Sequence, residues 1–393
     1  MGLGVPYRRL FGLPGVAAQA VLGFLAQLTK QVAPVGIVLV VERASGSLIL
    51  AGVVVAAFSA GAGMGRPVQG RLMDRRGARQ VLAATALAHV AALLALIWCA
   101  QPGLPWWPMV ALAWVAGAGL PPISVSMRVE WGRAMAAEGR TAAYSLVFLV
   151  QELAMMIGPL LFGVLIAVAT SSLALGVVAA AAGAGTLAFA WALRAGGDGS
   201  AHGRGRVFAD RRMAVLLAVV LLNGGTMGAV QVGVPALATA RDIPAATGLL
   251  VAAVSLGGIA GAAAYGARTW RWAVPVRLVG LLLALGLALA PLVLVGPLPL
   301  FWAVLFAAGL ALNPALTTAS LLVDEYAPGA QAEAFGWVST ALGMGSAAGS
   351  AVAGLVGEGF GPSAPFLAAA AFALVGAGLA TVLVRRGPAR LLP

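Results

Sequence analysis

The 393-residue chain is 61% hydrophobic and only 9% charged, against roughly 25% charged in soluble domains, so water is not its main solvent. Its formal charge of +12 comes from arginines in short breaks between apolar runs rather than on one polar face, which excludes nucleic acid as a partner. A single cysteine, Cys99, excludes an intramolecular disulfide and a cysteine-rich metal site; no metal or cofactor is expected.

Arg8 and Arg9 stand ahead of the first apolar run, as in a signal peptide, but that run continues to Val41 without a small-residue cleavage site. It reads as a retained first span. A helix needs about 20 apolar residues to cross a bilayer, and the runs near 14–41, 47–69, 80–100, 107–127, 141–169 and 172–193 are long enough. On the first, Gln19, Gln27, Lys30 and Gln31 fall within an arc of about 120°, a polar stripe that should face a cavity or a protein neighbour. Lys30 lies roughly 24 Å into that span at 1.5 Å per residue, a depth where an unpaired charge is costly and marks a substrate or coupling site.

Between the second and third runs stands Gly70-Arg71-Leu72-Met73-Asp74-Arg75-Arg76-Gly77-Ala78-Arg79. Gly70 and Gly77 suit a tight turn near the membrane, and Asp74 suits hydrogen bonds from an arginine or a helix N-terminus. This stretch resembles the loop of the major facilitator superfamily, with Gly70, Asp74, Arg75, Gly77 and Arg79 in the family's places and Gln80 in place of its last base. The resemblance implies an all-α integral membrane fold of twelve transmembrane helices in two pseudo-symmetric six-helix bundles, transport by alternating access, and a latch at this loop. The matching loop of the second half, Gly266 to Arg271, has Trp270 where Asp74 would fall, so the latch is expected to be one-sided.

On the third run His89 is expected to be a packed or lipid-edge residue rather than a proton relay. On the fourth, Ala113 stands where drug/proton antiporters of the family carry an arginine, four residues before a glycine resembling Gly117; the family's usual arginine-centred proton coupling is therefore in doubt. That leaves Glu152, near the middle of the fifth run, as the deep carboxylate able to take a proton. The bland alternative makes Lys30 and Glu152 a buried ion pair that only holds helices together. Gly158-Pro159 followed by Gly163 resembles the kinking signature of exporting antiporters, with Ala154 in place of one expected glycine, and plain close packing is the competing reading.

Arg194 to Arg212 is the one long polar stretch and reads as a cytoplasmic linker, 194–212, between bundles 1–193 and 213–393. Six further runs follow, near 213–239, 246–267, 274–296, 300–322, 335–356 and 363–384. Ser59, Gly61, Gly65 and Gly70 recur as Ser255, Gly257, Gly261 and Gly266 at an offset of 196, and Gly117 and Pro122 recur as Gly309 and Pro314 at 192. Ordered pairs at nearly one offset indicate a duplicated unit. Asn223 and Thr226 match Gln27 and Lys30 at the offset of 196 and, with Gln231, give the seventh span a stripe of its own. Asn313-Pro314 adds cavity donors or marks a kink. By resemblance, the glycine pairs 61/65, 257/261 and 345/349 stand on helices that line the contact between the two halves and would serve sliding contacts there, with generic helix packing as the competing reading.

With the N-terminus inside, 21 of the 24 basic residues fall on the cytoplasmic side and only Arg43 and Arg241 outside, which predicts both termini in the cytoplasm. The expected protein is a monomeric secondary transporter of a bacterial cell membrane, exporting a small organic solute with protons as the coupling ion. Import or facilitated passage of a sugar or metabolite is the alternative. A membrane enzyme or an ATP-driven permease subunit is less favoured, because no HExxH, Asp-rich, His-cluster or P-loop motif is present.

Overall fold

The computed structural model describes residues 5–101, 104–193, 206–243, 246–294 and 297–385. In lipid a backbone must satisfy its own hydrogen bonds, so apolar runs of this length become helices. A short helix, α1 (Val5–Phe11), comes first. The first six spans are α2 (Val16–Ser45), α3 (Leu48–Arg76), α4 (Ala78–Cys99), α5 (Trp107–Ala118) with α6 (Ile123–Ala134), α7 (Ala137–Val168) and α8 (Ser171–Ala192). The last six are α9 (Arg211–Ala240), α10 (Ala246–Gly266), α11 (Val274–Leu289), α12 (Leu298–Tyr326), α13 (Gln331–Phe360) and α14 (Ala364–Arg385). Twelve candidate spans are thus present among the described residues. Most of the expected linker, residues 194–205, lies outside them, as do Arg386 and Arg390; its end does not remain loop, because Asp210 caps α9 through Arg212 N–H at 2.8 Å and the helix begins at Arg211.

Local chemistry sets the ends. Gly46 takes a left-handed φ of 68° after α2 and Ser47 caps α3, while Gly77, at φ 88°, turns α3 directly into α4. The fourth span breaks at Pro121-Pro122, which cannot donate to the helix ladder. Gln69 on α3 compensates by donating Nε2 to the freed carbonyls of Ala118 and Leu120 at 2.6 and 3.2 Å.

The expected glycine contacts need correction. Gly61 and Gly65 do not face the other half: a Cβ on either would strike the α5 backbone at Trp114 and Ala118. Gly257 and Gly261 abut α12 at Phe306 and Leu310, and Gly345 and Gly349 abut α9 at Leu221 and Gly225. All three pairs therefore draw helices together within one set of six spans. Spacing reveals a small face, and the identity of the neighbour comes only from the packing. The pairings repeat: Gly61 and Gly117 bring α3 onto α5 as Gly257 and Gly309 bring α10 onto α12.

Contacts between the two sets of spans run through α3, α6 and α7 on one side and α10, α12 and α13 on the other. They are concentrated at the arginine-rich end. Gly70 against Ala332 and Gly266 against Ser145 lie at that end, and the inter-half hydrogen bonds farthest from it are Thr340 to Gly63 and Asn313 to Glu152.

Candidate functional site

The closed end begins with Asp74. Its Oδ1 accepts from Ala332 N–H at 3.1 Å and its Oδ2 from Glu333 N–H at 2.8 Å, so one carboxylate takes two of the free N–H groups that open α13. Arg71 reaches Glu333 at 4.0 Å. Gly70 is not a turn residue as expected: it lies inside α3, where a Cβ would overlap the Ala332 carbonyl and the Glu333 backbone. The helix continues to Arg76, and Gly77 alone makes the turn. Arg79 stacks on Trp191 of its own half, 4.0 Å from the ring centre, and Arg75 is exposed.

A second contact at this end was not anticipated. Tyr144 on α7 donates to Asp324 near the end of α12, and Arg140 sits 3.5 Å from the same carboxylate. Gln331 Nε2 donates to its other oxygen at 3.2 Å. The acidic pair Asp324-Glu325 close to the end of a long span, Asp324 standing seven residues before the next helix, was the available signal. Above it Arg128 is buried at 4% exposure, over the rings of Phe148 and Phe335, and donates to Gln151 at 3.3 Å.

At mid-depth two cavities open. The larger, about 920 Å³, lies between α3 and α13 beside α2 and is lined by Lys30, Arg66, Phe58, Trp337, Thr340 and Met344 among others. Arg66 donates Nη1 to the Ser339 carbonyl at 3.2 Å. Arg66 and Arg128 were counted as loop cations; they sit instead within α3 and α6, ten and six residues before the helix ends at Arg76 and Ala134. Both helices extend past the point where hydropathy falls, and a count of charges per side does not register depth.

The smaller cavity, about 80 Å³, is lined by Glu152 and Met155 of α7, Thr226 and Gln231 of α9 and Ser255 of α10, with apolar neighbours. Glu152 Oε1 accepts from Asn313 Nδ2 of α12 at 3.1 Å, across the two sets of spans, and its Oε2 is buried without a partner among the described residues. Lys30 and Glu152 do not form an ion pair within 4.0 Å.

The expected stripes separate. Gln19 bridges Trp131 and the Ala192 carbonyl at 2.7 and 2.9 Å, and Gln27 bonds its own helix at Gly23 and faces Met127. Gln31 lies against Gly158. Asn223 is buried, its Oδ1 unpartnered among the described residues. So Lys30 lines the larger cavity, Glu152 and Gln231 line the smaller one and Asn313 is bonded to Glu152 beside it, while Gln27, Gln31 and Asn223 are not among the lining residues of either. His89 is packed, its Nδ1 2.7 Å from the Ala116 carbonyl. α7 runs unbroken through Pro159; Gly158 faces α2 and Gly163 has open space beside it.

This arrangement, two six-span sets sealed at one end around a central cavity, has counterparts among known proteins. The Major Facilitator Superfamily profile matches residues 19–331 and 216–392. The chain belongs to the major facilitator superfamily. As a member it is a secondary transporter of small molecules and not an enzyme. No curated protein matches it in sequence. Its fold is similar to that of the human organic anion transporter MFSD10 (TETRAN), with TM-score 0.76, 17% identity and coverage of 94% of this chain and 100% of the other. It is also similar to a bacterial homologue of the iron transporter ferroportin in an outward-facing state, at TM-score 0.77, 16% identity and 95% and 100% coverage. The transporter FucP in the outward conformation gives 0.69, 14%, and 93% and 97%. At these identities the likeness is one of fold.

Proposed function

We propose that this facilitator-superfamily transporter exports a small organic solute in exchange for protons, with halves 1–193 and 213–393 rocking about the central cavities and joined by 194–212. Both termini are cytoplasmic in a bacterial cell membrane, the orientation favoured by the excess of arginines on one side, which remains when Arg66 and Arg128 are left out of the count. The sealed end is then the inner one, and the conformation described is open to the outside. Alternating access needs no oligomer, and the working unit is a monomer in the lipid bilayer.

Glu152 carries the reading. It is the one carboxylate at mid-depth among the described residues, and it ties α7 of the first half to Asn313 of the second through one oxygen while the other lacks a partner. A proton arriving on that carboxylate removes its charge and weakens its bond to Asn313, so protonation state and the contact between halves are linked. Transport coupled to a proton needs such a residue, because the gradient acts only through a group whose charge differs between the two conformations. Outward direction rests on the resemblance of Gly158-Pro159 to the exporting signature.

The test is transport in proteoliposomes under imposed proton gradients of either sign. Glu152→Gln is expected to abolish uphill transport while leaving solute exchange within about twofold of the parent. Unchanged uphill transport by that variant removes Glu152 as the coupler, and accumulation driven in the opposite sense reverses the direction.

A further inference from the structure

The larger cavity carries a charge imbalance that the coupling role of Glu152 does not use. Lys30 and Arg66 both line it, and no aspartate or glutamate does. Lys30 makes no hydrogen bond and no ion pair with any described residue; the charges near enough to act on it are Arg66, Arg128 and Glu152. Of these, the single carboxylate is already engaged with Asn313. Two basic side chains with no acid in the lining, in a region of low dielectric, favour an anion between them.

A burden of this kind persists in a membrane protein when something else supplies the opposite charge for part of the cycle. The rest of the lining is apolar or neutral: Phe58, Met64, Trp337 and Met344 form the walls, and the Thr340 hydroxyl is spent on the Gly63 carbonyl at 2.8 Å. Arg66 is anchored to the other half by its bond to Ser339, whereas Lys30 is held only by its own helix.

From this geometry we infer that the solute is an amphipathic organic anion, its carboxylate, sulfonate or phosphate seated between Lys30 and Arg66 and its apolar body against Phe58, Trp337 and the two methionines. The anion neutralises the cation pair and, by touching α2 and α3 of one half and α13 of the other, forms contacts that differ between the two conformations. The inference rests on the transporter reading above only in taking the cavity to be the solute's site.

Its test is a binding measurement that needs no proton gradient. In the full-length chain with Cys99 replaced by serine, Ala347, an exposed residue of the cavity lining, is changed to cysteine. The thiol is then reacted with an anionic and a cationic methanethiosulfonate, each rate normalised to that with a free thiol in solution. The anionic reagent is expected to react at least tenfold faster on this scale, and Lys30→Gln or Arg66→Gln is expected to remove most of that preference. With a neutral methanethiosulfonate, 1-naphthoate should slow modification at least fivefold, while 1-naphthylmethylamine and 1-naphthalenemethanol, which share its ring system, should not. Equal normalised rates, protection by the amine or alcohol, or no protection by naphthoate would each overturn the inference. Proton-driven movement of a cation or neutral solute alongside those results would leave the transporter reading standing, whereas naphthoate protection without proton-driven transport would leave the anion site standing and remove the coupling.

Discussion

The sealed end has two joints, and they are built differently although the halves are faint copies. At the first, α3 meets α13 through Gly70, and Asp74 takes the opening N–H groups of that helix. At the second, α10 meets α7 through Gly266, but Trp270 stands where Asp74 would and turns back on its own half. It donates Nε1 to the Tyr265 carbonyl at 3.0 Å and lies against the Tyr265 ring. Tyr7 of α1 enters this joint beside Gly266 and donates its hydroxyl to the Ala262 carbonyl at 3.1 Å. One joint is thus an ionic cap on a helix and the other a tyrosine plug brought from outside the duplicated unit. The first depends on charge and helix dipole, the second on packing and one neutral hydrogen bond, so they should respond differently to the same kind of change.

The largest difference is expected at the glycines. A Cβ at position 70 would overlap three α13 backbone atoms at Ala332 and Glu333, whereas one at position 266 would meet the far end of Tyr7, which can move, and one fixed atom, Ser145 Cβ. Backbone atoms cannot step aside, and forced overpacking costs about 1–3 kcal/mol. Gly70→Ala should therefore hold the inner end open and cut transport at least tenfold, with Gly266→Ala falling only about two- to threefold. Double electron–electron resonance distances between labels on the two halves at this end read the opening directly. Equal effects from the two variants would mean that the joints are mechanically equivalent and the contrast is superficial.

The asymmetry was half legible in the sequence. The resemblance of Gly70 to Arg79 to the family's loop implied a latch, and Trp270 in the place of Asp74 implied that its copy would lack one. The latch's partner was not local: Ala332 and Glu333 are more than 250 residues away, and a helix N-terminus offers backbone groups that no side-chain motif advertises. Tyr7 was invisible for a similar reason, since it looked like part of the lead-in to the first span. Hydropathy gave the twelve spans because length and apolarity suffice for that. It misplaced Arg66 and Arg128 because an arginine inside a helix extension and one in a loop read alike until the fold sets the depth.

Removing the cap at the first joint should have the next largest effect. Asp74→Ala deprives Ala332 and Glu333 N–H of their acceptor, and the loss of such a cap costs typically about 1 kcal/mol, more where helix dipole and burial add to it. The inner-closed population should fall about five- to tenfold against open forms, measured by the same distance distributions. Asp74→Asn keeps an oxygen for one N–H but not the charge, and should fall between the variant and the parent. If Asn equals the parent, hydrogen bonding alone makes the joint and the charge is incidental.

The smallest expected change is at Tyr7, and it sharpens the comparison from the other side. Tyr7→Phe keeps the ring in place and removes only the hydroxyl bond to Ala262, worth about 1 kcal/mol, so the shift toward the inner-open form should be about fivefold or less. Burial pushes the Tyr7 hydroxyl up to about 12. Below that pH the hydroxyl keeps its proton and its bond, so the effect of Tyr7→Phe should be the same from pH 6 to pH 9. A variant effect that changes across this range would mean that another titrating group shares the second joint, and the plug would no longer be the neutral counterpart of the Asp74 cap.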